Sequence, residues 1–85
     1  MSYIAECFWP DVHPEQVDEG AARARLSAEE LTGEGKRVDF TGSILVCADD
    51  VVFYLFDGVS AEAVREACER AAIHYERVVE SVQKP

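Results

Sequence analysis

Apolar residues recur along this chain with two different periods, and the switches between them mark six elements. Tyr3–Trp9 is a short apolar run closed by Pro10 and Asp11, which reads as a strand. Val17, Ala21, Ala24, Ala28 and Leu31 then follow at spacings of four, three, four and three, one face of a helix. Pro14 suits the first turn of that helix, where its missing N–H leaves nothing unsatisfied, and this puts His13 at the N-cap. Gly33 and Gly35 stop it. Ser27-Ala-Glu-Glu30 has the form of a capping box, which suggests two helical segments meeting near Ser27; Leu26, opposite the buried stripe, fits such a break or a contact with a partner.

A strand from about Arg37 to Cys47 and a turn at Asp49-Asp50 lead into a third apolar run, Val51–Phe56. Asp57-Gly58 turn the chain into a second helix, capped by Ser60 and burying Ala61, Val64, Ala67, Cys68 and Ala71. Glu66 and Arg70 form an i,i+4 pair on its outer side. Ile73 and His74 leave the helix, and the last strand spans about Glu76–Val82.

The first strand and helix are written again 47 residues later. Val12, Glu15, Val17, Glu19, Arg23 and Ala24 coincide with Val59, Glu62, Val64, Glu66, Arg70 and Ala71, so residues of about 3–26 repeat as about 50–73. The order β-α-β-β-α-β in a single 85-residue domain predicts an α+β, ferredoxin-like split βαβ duplication: a four-stranded antiparallel sheet with two helices on one face.

Such a sheet has a second face, and here that face is greasy. Val51, Phe53 and Leu55 alternate with Val52, Tyr54 and Phe56, so the third strand is apolar on both sides. The second strand sets Val38, Phe40, Ile44 and Val46 against Asp39, Thr41, Ser43 and Leu45. A second copy of the chain, sheet against sheet, is the economical cover, and a homodimer is expected.

Charge narrows the partners. Eight Lys and Arg stand against 17 Asp and Glu, a net charge of −9, which repels phosphate backbones and anionic membranes; nucleic acid and membrane partners are not expected. No signal peptide is visible after Met1 and no apolar run approaches the ~20 residues of a spanning helix. The odd count of three cysteines, at 7, 47 and 68 without a CxxC, reads as buried reduced thiols in a cytoplasmic protein.

Few residues offer chemistry. The repeat aligns Glu6 with Phe53 and so puts a carboxylate on the open face beside Ile4, Phe8, Val51 and Leu55. Glu80 and Glu76 in the neighbouring strand are expected to share that face. A ligand pocket of Glu6, Phe53, Leu55 and Glu80 between two sheets would raise one carboxyl pKa and suit general acid/base work; a Glu6 ion pair with Arg77 is the plainer alternative. His74 is either a helix-terminal imidazole or a proton shuttle at the pocket mouth, so Glu6 and His74 are the catalytic candidates. His13, His74 and Asp11 could offer ligands to a surface divalent metal such as zinc. Gly33–Arg37 is no phosphate loop, since it lacks the preceding strand and the Ser/Thr.

The stretch Val38–Val82 resembles a family of small bacterial domains of unknown function. The residues that carry the resemblance are Phe40-Thr-Gly-Ser-Ile-Leu-Val46, Val51-Val-Phe-Tyr-Leu-Phe56, Ser60-Ala-Glu-Ala-Val-Arg-Glu66 and Glu76-Arg-Val-Val-Glu80. One branch of that family is called nickel-binding protein. The resemblance implies a ferredoxin-like dimer and, through that branch, a metal. The expected function is a homodimeric protein that binds a small molecule or divalent metal between its sheets. An isomerase or cyclase using Glu6 or His74, and a pure interaction module without a pocket, are the alternatives.

Overall fold

A computed structural model describes all 85 residues, Met1–Pro85. The elements follow in the order β1 (Ser2–Phe8), α1 (Pro14–Gly33), β2 (Val38–Val46), β3 (Val51–Gly58), α2 (Ala61–Arg70) and β4 (Arg77–Ser81). The strands form one antiparallel sheet in the order β2-β3-β1-β4, with both helices on one side, which is the ferredoxin-like arrangement. The two helices begin at Pro14 and Ala61, 47 residues apart, at the offset of the internal repeat.

Local chemistry explains the helix ends. The N–H of His13 donates to the Gln16 side chain at 2.8 Å, and Ser60 Oγ accepts the Ala63 N–H at 3.1 Å. Gly35, at φ +98°, turns the chain after α1. After α2 the same left-handed role falls to Ala72, at φ +56°, and the Ile73 N–H closes back on the Cys68 carbonyl at 2.9 Å.

Tyr3, Ala5 and Cys7 of β1 and Val52, Tyr54 and Phe56 of β3 point toward the helices and meet Leu31, Val64 and Cys68. The helices approach closely because their inner faces are small: Gly20, Ala24 and Ala28 on α1, Ala63 and Ala67 on α2. Tyr54 carries a polar group deep in this core, and its hydroxyl donates to the Val17 carbonyl at 3.1 Å. Outside the core, Arg70 ties the helices together: both its Nη groups lie 2.8 Å from Glu34 oxygens, and Glu66 is 3.4 Å away.

Four expectations are corrected. First, α1 is one unbroken helix, and Ser27 is buried on its inner face rather than capping a second segment. Second, β2 does not keep one alternation. A bulge at Thr41 puts Phe40 opposite Phe56 but Gly42 opposite Leu55, so Val38 and Phe40 face the helices while Ile44 and Val46 face away. Third, Arg77 pairs with Glu6 and Val79 with Ile4, so Val79 occupies the open face and Glu80, opposite Tyr3, points to the other side. Fourth, Cys47 is exposed on a 3₁₀ turn, Cys47–Asp49, while Cys7 and Cys68 are buried.

Candidate functional site

The open face of the sheet is more apolar than alternation alone implies. β1 contributes Ile4 and Phe8, β3 contributes Val51, Phe53 and Leu55, and β4 contributes Val79. The β2 bulge adds Ile44 and Val46, directly opposite Phe53 and Val51. Phe8 and Ile44 are 58% and 49% exposed.

Its carboxylates are neutralised in place. Glu6 Oε2 lies 3.2 Å from Arg77 Nη2 across the β1–β4 pair. Asp39 is 2.8 Å from Arg37, and Asp57 is 2.8 Å from the Met1 amino group and 3.7 Å from Arg37. That amino group, by its hydrogen bond, and Arg37 hold the Asp57 carboxyl below its usual range. The net charge of −9 is therefore carried elsewhere, with eight of the 17 carboxylates on the two helices.

The expected Glu6 pocket is not assembled within one chain. Phe53 is directly opposite Glu6 and Leu55 is two residues along, but Glu80 is on the other side of the sheet. Glu76 is engaged elsewhere: its Oε2 accepts the Phe8 N–H at 2.6 Å. Glu6 lines none of the molecule's three hollows. The two catalytic candidates are also separated in kind, Glu6 on the open sheet face and His74 in the loop that follows α2.

His74 does line a hollow. A cavity of about 300 Å³ lies where the end of β1, the middle of α1 and the α2–β4 loop converge. Cys7, Phe8 and Trp9 form one wall and Tyr54 the floor; Arg23, Ile73 and His74 complete the rim. Arg23 is fixed by its Nε, which donates to the Ala71 carbonyl at 2.8 Å, the helix end that Ala72 turns away from. Burial, with Glu76 and Glu6 adding to it, pushes the Cys7 thiol up to about 12, so it is no nucleophile near neutral pH. Burial likewise lifts the Tyr54 phenol to about 12. These groups can shape a ligand but not exchange protons with it at neutral pH.

No three His, Cys, Asp or Glu side chains group as a metal site. Asp11 and His13 lie in the exposed turn before α1, while His74 belongs to the cavity rim, and none of them gathers the donors a closed nickel or zinc site needs. The donor set of one chain does not fit a resident metal.

The cavity escapes local reading because it joins four segments with no shared motif. Arg23 is the residue a repeat-based reading passes over, since its counterpart Arg70 is committed to Glu34. The bulge did leave a signal: Gly42 inside a strand pattern marks irregular pairing.

No family profile matches the chain, and no curated protein matches it significantly. A crystal structure of SCO4226 from Streptomyces coelicolor A3(2) superposes with a TM-score of 0.76 over 100% of both chains, at 22% sequence identity. At that identity the likeness carries the fold and nothing finer. No helix is long and apolar enough to cross a membrane.

Proposed function

We propose that this chain works as a homodimeric small-ligand-binding protein, two copies stacking their open sheet faces. One observation carries the reading: the open face is apolar across all four strands and locally neutral on a chain of net charge −9. Two strongly acidic copies repel through their helices, but sheet to sheet they meet with paired charges and hydrocarbon.

The size is adequate. Four strands about 4.8 Å apart and about seven residues long, at about 3.3 Å per residue, cover roughly 440 Å² in projection. Two such faces remove about 900 Å² before side-chain relief is counted, close to the ~1,000 Å² of a specific interface. The Thr41 bulge adds to this by delivering Ile44 and Val46 to the open face. A ligand role is supported by the 300 Å³ cavity, which is built from one protomer and stays clear of the stacked faces except at Phe8. Three free cysteines suit a reducing compartment, so the cytoplasm is the proposed location.

The test is Phe53→Lys. Phe53 is only half-buried in one chain and sits in the middle of the face between Glu6 and Ile44. A monomer tolerates an ammonium there, but a stacked pair would bury it. Sedimentation should show a folded monomer where the parent chain is a dimer; an unchanged dimer refutes the interface.

A further inference from the structure

We infer that the cavity at the end of β1 takes a small monocarboxylate with a flat apolar body, of the size of an arylacetic acid. This rests on the ligand-binding reading above and names the ligand class.

The argument is one of charge against composition. Asp and Glu outnumber Lys and Arg 17 to 8 in this chain, yet no Asp or Glu lines the cavity. Its polar rim is Arg23 and His74. Glu76, whose field reaches the Cys7 thiol, has its carboxylate turned to the Phe8 N–H. Arg23 is anchored by one nitrogen only: Nε holds the Ala71 carbonyl, and the two Nη groups make no ion pair and no other hydrogen bond within the chain. A guanidinium fixed at Nε with both Nη groups unused is a preorganised fork, and the acceptor that matches a fork is a carboxylate. The His74 imidazole on the same rim offers a further N–H.

The remaining walls are apolar or aromatic. Trp9 offers ring surface to a ligand, and Cys7, Tyr54 and Ile73 close the hollow beneath it. The Tyr54 hydroxyl is already committed to Val17, so it asks nothing of a ligand. A volume of about 300 Å³ is at the small end of ligand pockets and holds one ring with a short acid arm. A dianion such as a phosphate ester would bring more charge than one guanidinium fork answers and would leave the aromatic walls unused.

Trp9 is the only tryptophan, so its fluorescence reports on this cavity alone. The experiment titrates the protein with phenylacetate and with phenylacetamide, its neutral counterpart of the same shape. Phenylacetate should give a saturable change in Trp9 emission, and phenylacetamide should bind at least about tenfold more weakly. Arg23→Gln should weaken phenylacetate by about tenfold or more, with phenylacetamide unaffected, while the thermal midpoint stays within a few degrees. His74→Gln, in an exposed loop, repeats the test at a smaller loss of about threefold should Arg23→Gln fail to fold. Equal binding of acid and amide, or full affinity in the Arg23→Gln protein, overturns the carboxylate assignment and leaves the cavity a ligand site. No response to either compound up to about 10 mM overturns the ligand reading itself.

Discussion

Gly20→Ala ought to stabilise an ordinary helix and should damage this one. In a helix interior alanine is favoured over glycine by about 1 kcal/mol. Gly20, however, lies on the inner face of α1 against the Tyr54 ring. A Cβ there would press into the phenol oxygen and stand 3.1 Å from Cζ. Tyr54 has no room to yield, being fully buried with its hydroxyl held by Val17. Overpacking of this kind costs about 1–3 kcal/mol, and a displaced hydroxyl forfeits a hydrogen bond of about 1 kcal/mol. Set against the helix gain, the net loss is about 1–3 kcal/mol, or a fall in thermal midpoint of about 5–15 °C for a domain this small. Urea denaturation measures it. The Gly20→Ala/Tyr54→Phe pair removes the oxygen that clashes, so the double mutant should lose at least about 1 kcal/mol less than the two single losses combined. Stabilisation by Gly20→Ala, or strict additivity, would refute the packing argument. The same substitution should weaken ligand binding, since Arg23 is the next turn of α1 and Tyr54 floors the cavity.

Three further outcomes are expected. In the native protein a thiol reagent at pH 8 should titrate one cysteine quickly, Cys47, and reach Cys7 and Cys68 only on unfolding, because burial lifts both of those thiols to about 12; three fast thiols would contradict the core. Arg70 holds Glu34, and the Met1 amino group holds Asp57, below the usual carboxylate range, so the unfolded chain binds the extra protons and stability present above about pH 4.5 falls as the pH drops further. The thermal midpoint should therefore decline toward pH 3, less steeply in Glu34→Gln, and a midpoint flat to pH 3 would contradict both pairs. Excess nickel should leave the midpoint within about 1 °C; a larger rise lost in His74→Ala would show that a second chain completes a site that one chain does not hold.

The fold was legible because the repeat and the strand parities agree. Glu6 falls on the open face because Ala5 and Cys7 must meet the helices, and Pro14 and Ser60 mark both helix starts. What failed has a common cause. A β-bulge changes parity by one residue, and no alternation count sees it, so unbroken alternation sets Ile44 and Val46 on the side of Val38 and Phe40 when the bulge turns them to the other. The side taken by Glu80 depends on register in the same way: Arg77, not Glu76, stands opposite Glu6, which turns Glu80 to the other side of the sheet. Glu6 was visible as an odd carboxylate and Arg77 as its partner, but the cavity was not. Cys7, Arg23, Tyr54 and His74 come together only when the β2-β3-β1-β4 order brings β1 and β3 side by side beneath the helices.

The measurement that bears most directly on the whole account is the molar mass in solution. Light scattering on the full chain, from about 1 to 100 μM, should give twice the 9.4 kDa chain mass across the upper part of that range. A folded species that stays at 9.4 kDa throughout would mean that the apolar sheet face is stable in water, and the dimer would have to be given up.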